Sequence, residues 1–245
     1  GLKRRRQQVV KGCSGFCAPG QATYILGSSG AGKTSLLNIL ADRVALINKA
    51  TLSGTITFNG QRIERSDPAS VAAMGLVRSF QISAVFGQMS VMENVRVALQ
   101  RQRGGNFAFW RNEAVLDELN ERAHALICSV GLEKWLHAPA ADLSYGRKRA
   151  LELATTIAME PELILLDEPA SGLSAGALDA IMALLRRLQS EGKTLLVVEH
   201  NTRVVQKIAD DVLFLHQGHL MATGTPEQIV NDPALAEIYF GGAIH

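Results

Sequence analysis

Apolar residues along the chain form two kinds of segment: short uninterrupted runs, and longer stretches with an apolar residue at every third or fourth position. The short runs predict buried strands, and they cover residues 22–26, 163–166 and 194–198. The longer stretches predict helices over residues 35–45, 143–159 and 175–189. Strands that alternate with helices in this way are typical of an α/β fold with a mostly parallel sheet.

Three other segments predict smaller elements. We expect a short strand at Val9-Val10, and an antiparallel strand pair within residues 51–63 around the turn Asn59-Gly60. A second strand pair is expected around Gln217-Gly218. The sequence Thr225-Pro226-Glu227-Gln228 then predicts the start of a helix, because Thr and Gln at this spacing form a capping box and Pro suits the first helical position.

Residues 84–140 differ from the rest, since they are rich in helix formers and poor in strand-like runs. Helical spacing of apolar residues predicts one long helix over residues 113–130. We interpret the region as a helical insert. Its aromatic residues Phe107, Phe109 and Trp110 either pack within the insert or form a docking surface.

Composition narrows the class of protein. The chain has 245 residues, with 25 Lys and Arg against 23 Asp and Glu, so its net charge is +2. That near balance argues against a nucleic-acid partner. No apolar run approaches the ~18 residues that a transmembrane helix needs, and the basic start lacks the apolar stretch of a signal peptide. Three cysteines without a disulfide or zinc pattern are typical of a reducing cytoplasm.

The strongest motif is Gly27-Ser28-Ser29-Gly30-Ala31-Gly32-Lys33-Thr34, which fits the phosphate-loop pattern G-x-x-x-x-G-K-[ST]. Glycines let backbone N–H groups approach phosphate oxygens, and the following helix presents its N-terminus to the same anion. Lys33 neutralises the β- and γ-phosphates, and the Thr34 hydroxyl can ligate Mg²⁺. We predict that all eight residues and the neighbouring Ser35 bind the nucleotide.

Two further strands end in residues that suit nucleotide hydrolysis. The run 163–166 leads into Asp167 and Glu168, at the strand end where open α/β sheets bind ligands. Asp167 suits Mg²⁺ through water, and Glu168 suits the general base that polarises the attacking water. The run 194–198 leads to His200, which we predict to contact the γ-phosphate.

With these residues the chain resembles the nucleotide-binding subunit of an ATP-binding cassette (ABC) transporter over nearly its whole length. The resemblance assigns the Walker A motif to residues 27–34, the Walker B motif to 163–167 and the switch histidine to His200. It also matches Gln81 to the glutamine that senses Mg²⁺ and faces the permease. The sequence Leu143-Ser144-Tyr145-Gly146-Arg147 lies where the family signature lies.

Two branches of the family are represented. From about residue 70 onward the chain resembles the ATPases of branched-chain amino-acid importers, whereas residues 1–60 resemble the white/multidrug half-transporters. Drift of one lineage and a mosaic chain both fit this pattern, and the Gly1 start fits a fragment or a processed chain. Arg147 stands where the signature usually has Gln, which places a cation near the composite site. The family's adenine-stacking aromatic should lie before Val9, where the chain has only residues 1–8. Arg4 to Arg6 stack there instead, or they are simply solvated, or the segment is truncated.

The resemblance implies a P-loop NTPase fold: a RecA-like mixed sheet with helices, an antiparallel β subdomain and a helical insert subdomain. A single ABC ATPase domain would span 1–245, with residues 1–83 and 143–245 as the catalytic core and 84–142 as the helical subdomain. Two such subunits would enclose two ATP with Mg²⁺, Ser144 and Gly146 of one facing the γ-phosphate held by the other. Membrane permease subunits, and in an importer a substrate-binding protein, would be the partners at the cytoplasmic face of the membrane.

Other functions fit parts of the sequence less well. A GTPase would need Asn-Lys-x-Asp, and Asn48-Lys49-Ala50-Thr51 lacks the Asp. An exporter-type half-transporter, a soluble ABC ATPase without a permease and a non-hydrolysing regulatory module remain alternatives. The helical insert and the intact Lys33, Asp167, Glu168 and His200 favour the transport ATPase.

Overall fold

A six-stranded sheet forms the centre of the computed structural model, which describes residues 8–41, 52–79, 85–102 and 113–241. The strands are β1 Ala22–Leu26, β2 Thr57–Phe58, β3 Gln61–Arg62, β4 Leu76–Arg78, β5 Leu163–Asp167, β6 Thr194–Val198, β7 Asp211–His216 and β8 His219–Gly224. The helices are α1 Lys33–Leu40, α2 Pro68–Ala73, α3 Val91–Gln102, α4 Glu113–Ser129, α5 Tyr145–Ala158, α6 Ala175–Ser190, α7 Thr202–Ile208, α8 Pro226–Val230 and α9 Pro233–Gly241.

The strand order brings the predicted site residues to one edge of the sheet. The order is β4-β5-β6-β1-β7-β8, with every neighbouring pair parallel except the antiparallel β7 and β8. In the register, Val198 lies opposite both Ile25 and Asp167. Strands β1, β5 and β6 therefore end level with one another, and the loops that follow them are neighbours. The expected mixed α/β sheet is confirmed.

The sheet is covered on both faces. Alternate residues of the central strands face two separate apolar clusters, since successive side chains of a strand point to opposite sides. Tyr24, Ile164 and Val197 belong to the cluster that contains the helices α3 to α7. Ile25 and Leu165 belong to the opposite cluster, with residues of α1, α2 and the loop after β3. Because both faces are buried, these strands are continuous apolar runs, which made them recognisable in the sequence.

The predicted helices and hairpins are largely confirmed. Helix α4 matches the long helix expected over 113–130, and the β2-β3 and β7-β8 hairpins lie where the turn residues placed them. The capping box at α8 is present, since the Thr225 hydroxyl accepts from Gln228 N at 3.3 Å and the Gln228 side chain accepts from Thr225 N at 2.9 Å. The division into core and helical subdomain stays a prediction. Among the described residues, no helix is both long and apolar enough to cross a bilayer.

Some expectations failed. The strand predicted at Val9-Val10 is wrong, because these residues form a bend. That segment is instead fixed by the β7-β8 turn, where Lys11 N donates to Gly218 O at 2.7 Å. A Cβ on Gly218 would lie 2.2 Å from Val9 O, so the close approach requires glycine. The sequence patterns also missed four elements, namely α2, β4, α7 and α9.

Candidate active site

The loop between β1 and α1 is shaped by its glycines. Gly27, Gly30 and Gly32 have φ values of 152°, 76° and 100°, a region that other residues rarely adopt. A Cβ on Gly27 would lie 2.0 Å from the carbonyl oxygen of Leu215 on β7. The loop therefore packs directly against the neighbouring strand, and residue 27 has no room for a side chain.

Lys33 lies inside this loop. Its Nζ donates to Gly27 O at 2.8 Å and to Ser28 O at 2.9 Å, and only 6% of the residue is exposed. Burial lowers the pKa of Lys33, while the charges of Glu168 and Asp167 oppose that shift. The two carboxylates thus help to keep a buried ammonium group charged at the place where phosphates are predicted to bind.

Helix α1 starts within the loop. Gly32 is its N-cap, and among the described residues its N-terminus has no capping hydrogen bond from a side chain. The first N–H groups of a helix have no partners within the helix, and they carry the positive end of its dipole. Together with the Lys33 ammonium, this end of α1 forms an anion-binding cradle that fits the phosphates of a nucleotide.

Asp167 ends β5 beside this cradle. Its Oδ1 accepts from the Thr34 hydroxyl at 3.4 Å, which is long for a hydroxyl hydrogen bond. Its Oδ2 pairs with the Arg78 guanidinium at 2.8 Å, and Arg78 also donates to Asn38 on α1. The sequence patterns did not indicate Arg78, which lies at the end of β4 and anchors the Asp167 carboxylate. Thr34 and Asp167, together with phosphate oxygens, are suitable ligands for Mg²⁺. Proteins usually bind this ion through one or two carboxylates, and it keeps several water ligands.

Glu168 and His200 meet at the ends of neighbouring strands. Glu168 Oε1 lies 2.5 Å from His200 Nε2, and the two side chains are 37% and 44% exposed. Glu168 has a φ of 50°, and its N–H donates to Val198 O on β6 at 2.9 Å. This twist at the strand end turns the carboxylate toward the loop after β6. The structure therefore brings together two residues that the sequence placed at the same sheet edge.

The signature residues lie at the start of α5. Ser144 is the N-cap, but its hydroxyl accepts no capping hydrogen bond. The ring of Tyr145 packs over Gly172, where a Cβ would lie 3.2 Å from Cε1. Within the described residues, no hydrogen bond joins Ser144 or Gly146 to Lys33, Asp167 or Glu168. Their predicted role needs a second subunit, and it stays a prediction.

The guanidinium of Arg147 lies 4.1 Å from the ring centre of Trp135. Such stacking holds the cation against the turn at Glu133–Trp135. Arg147, on α5, is thus anchored against the segment between α4 and α5.

Several predicted residues cannot be placed. Gln81 lies outside the described residues, as do Arg4 to Arg6 and the aromatic residues Phe107, Phe109 and Trp110. Among the residues that the structure describes, no cluster of three or more His, Cys, Asp or Glu could hold a metal unaided. A bound Mg²⁺ would therefore depend on phosphate oxygens as well as on Thr34 and Asp167.

Fold and site together define a P-loop nucleotide hydrolase: a phosphate cradle after β1, a carboxylate pair after β5 and a histidine after β6. The comparisons with known proteins agree. The sequence model of the ABC transporter family matches residues 10–171. The chain belongs to the ABC transporter family, as one of its ATPases.

Curated relatives of similar length support this assignment. The "High-affinity branched-chain amino acid transport ATP-binding protein BraF" of Pseudomonas aeruginosa is 34% identical, over 91% of this chain and 88% of its own. The "High-affinity branched-chain amino acid transport ATP-binding protein LivG" of Escherichia coli K12 is 35% identical. The match covers 92% of this chain and 89% of LivG. The ATP-binding cassette MJ0796, solved as a dimer bound to ADP and Pi, has the same fold, with a TM-score of 0.76, 23% identity and coverage of 89% and 90%.

Proposed function

We propose that this chain binds and hydrolyses ATP to power a membrane importer of branched-chain or other hydrophobic amino acids. The observation that carries the hydrolytic role is the contact between Glu168 and His200 beside the Lys33 cradle. The amino-acid substrate class is supported by the relatives BraF and LivG, whose descriptions name branched-chain amino-acid transport.

Each part of the cradle has a defined task in this proposal. Backbone N–H groups of residues 27–35 bind the phosphates, and Lys33 exchanges its carbonyl partners for oxygens of the β- and γ-phosphates. Thr34, Asp167 and Gln81 would hold Mg²⁺, which would supply charge neutralisation at the phosphates. Arg78 holds Oδ2 of Asp167, so that Oδ1 stays directed toward Thr34.

Glu168 and His200 carry out the hydrolytic step. Glu168 accepts the proton of the water whose oxygen attacks the γ-phosphorus, while the bond from that phosphorus to the bridging oxygen breaks and ADP leaves. His200 fixes the Glu168 carboxylate and contacts the γ-phosphate. Lys33 stabilises the negative charge on the transferred group.

The complete site is proposed to form between two subunits. Ser144 has a hydroxyl that is not engaged in capping α5, which suits a phosphate contact across a dimer interface. Residues 84–142 are proposed as the helical subdomain that transmits closure to a permease at the cytoplasmic face of the membrane. The MJ0796 dimer supports the two-subunit arrangement by fold.

A phosphate-release assay with purified protein tests hydrolysis. We expect turnover that requires both ATP and Mg²⁺, and we expect Lys33→Ala to lower ATP affinity at least tenfold, because the buried ammonium is a direct phosphate ligand. A wild-type chain that binds ATP without releasing phosphate would instead support the non-hydrolysing regulatory module.

Identification of the membrane partners tests the transport role. The tagged chain would be purified from detergent-solubilised membranes of its source cells, and the recovered permeases would be reconstituted in vesicles. ATP-dependent leucine uptake that is lost with Glu168→Gln supports the proposal. Efflux driven by the same complex would favour an exporter, and an active ATPase that never associates with membrane subunits would favour a soluble ABC ATPase.

A further inference from the structure

The main chain of His200 is held at both of its polar groups by side chains. Its N–H donates to Glu199 Oε2 at 2.9 Å, and its carbonyl oxygen accepts from the Tyr239 hydroxyl at 2.9 Å. Neither side chain belongs to a recognised motif in the sequence. One is the residue before His200, and the other lies 39 positions further along the chain, on α9.

Glu199 joins the two loops that carry the hydrolytic pair. It is only 3% exposed, and its Oε1 accepts from Ala170 N at 2.8 Å, two residues after Glu168. Its Oε2 accepts from His200 N and, at 3.2 Å, from Asn201 N. Hydrogen bonds to an ionised carboxylate are stronger than those between neutral groups. A single buried carboxylate therefore fixes the loop after β5 relative to the loop after β6.

Tyr239 binds the other polar group of the His200 main chain, its carbonyl oxygen. Its ring packs against Phe214 of β7, with 6.3 Å between the ring centres and an angle of 57° between the planes. Burial raises the pKa of Tyr239, and the Glu199 charge adds to the effect, so the hydroxyl keeps its proton and remains a donor. Helix α9 is thereby connected to the loop that carries His200.

We propose that Glu199 and Tyr239 are positioning residues for hydrolysis. They fix the backbone of His200 so that its Nε2 stays within hydrogen-bond distance of Glu168 Oε1. The proposal rests on the roles assigned above to Glu168 and His200. It adds that α9, which lies outside the motifs assigned above, controls the geometry of the hydrolytic pair.

The first test removes one hydroxyl. Tyr239→Phe keeps the ring and its packing, and we expect kcat to fall about three- to tenfold with an unchanged KM for Mg-ATP, because one hydrogen bond to the His200 carbonyl is lost. The matched control is Tyr24→Phe, since the buried Tyr24 hydroxyl has no hydrogen-bond partner among the described residues. This control should retain wild-type kcat and KM.

The second test shows whether the residues act through His200. In a double-mutant cycle, Tyr239→Phe and Glu199→Gln are each combined with His200→Ala, and the residual rate is measured in single-turnover reactions over hours. A positioning role predicts no further loss of rate from Tyr239→Phe in the His200→Ala background. Glu199→Gln should lose less there than in the wild-type background, because its contact with Ala170 N still acts on the loop that carries Glu168. The same fold-loss in both backgrounds would indicate a purely structural role and would overturn the inference.

The outcomes separate the two proposals. If His200→Ala itself hydrolyses ATP at the wild-type rate, the role assigned to His200 is wrong. If His200→Ala is impaired and Tyr239→Phe is not, the histidine keeps its role and only the positioning by α9 is rejected. Glu199→Gln is the more disruptive variant because an amide N–H would then face a backbone N–H. Tyr239→Phe alone therefore decides the outcome if Glu199→Gln fails to fold.

Discussion

The phosphate cradle and the hydrolytic pair are built in different ways, although they are adjacent. The cradle consists of consecutive residues, 27–34, and its contacts are mainly those of the backbone, such as Lys33 with the carbonyls of Gly27 and Ser28. The hydrolytic pair consists of two side chains from neighbouring strands, 32 positions apart in sequence. The proposed phosphate binding is therefore encoded locally, whereas the proposed hydrolysis depends on how strands β5 and β6 are aligned.

The largest effect expected from this difference is a separation of binding from hydrolysis. Glu168→Gln keeps the shape of the side chain but removes the proton acceptor, so we expect kcat to fall about 1,000-fold. ATP affinity should be unchanged, because the phosphate-binding loop is retained and Asp167 still favours the charged form of Lys33. Equilibrium binding of a fluorescent ATP analogue and single-turnover phosphate release measure the two quantities. A parallel loss of binding would show that the two parts are not separable.

Arg78→Ala tests the residue that holds Asp167, which lies between Thr34 of the cradle and Glu168 of the hydrolytic pair. The side chains of Arg78 and Asp167 are 9% and 12% exposed, so removal of the guanidinium leaves a mostly buried carboxylate unpaired. We expect the free energy of unfolding to fall by about 3 kcal/mol, measured by urea denaturation.

The matched control for this prediction is Arg187→Ala. Arg187 also pairs with a carboxylate, that of Glu191, but the two side chains are 55% and 46% exposed. Exposed ion pairs contribute little to stability, so no measurable change is expected. Equal losses from Arg78→Ala and Arg187→Ala would contradict the conclusion that Arg78 anchors a buried carboxylate.

The same contrast explains what could be predicted from the sequence. The loop of residues 27–34 could be located from the sequence, since its residue types and spacing are contiguous and the strand and helix on either side have clear apolar patterns. Its binding of the nucleotide stays a prediction. Asp167, Glu168 and His200 were placed correctly at the sheet edge because they follow buried strands. The predicted roles of Ser144, Gly146 and Gln81 go beyond what one chain shows, and Gln81 lies outside the described residues.

The missed features depend on contacts between distant segments. Arg78 ends a strand of three residues, which is too short to give a periodic pattern. Tyr239 reaches His200 only because α9 packs beside the sheet. Val9-Val10 has the residue types of a strand, but the turn at Gly218 fixes it as a bend. In each case a contact far along the chain determines the outcome, and local propensity contains no information about it.

The smallest effects test the cradle itself, by comparing two glycines of one loop. Gly27→Ala would place a Cβ 2.0 Å from Leu215 O, so the loop must shift away from β7, at a cost of about 2 kcal/mol in unfolding free energy. Gly30 has a φ of 76°, and a Cβ added there would have nothing within 4 Å. For Gly30→Ala we therefore expect only backbone strain, of about 1 kcal/mol. Urea denaturation gives both values, and equilibrium ATP binding shows whether the shift of the loop at residue 27 also displaces Lys33. If Gly30→Ala proved the more destabilising substitution, close packing of the loop against β7 would not be what shapes the cradle.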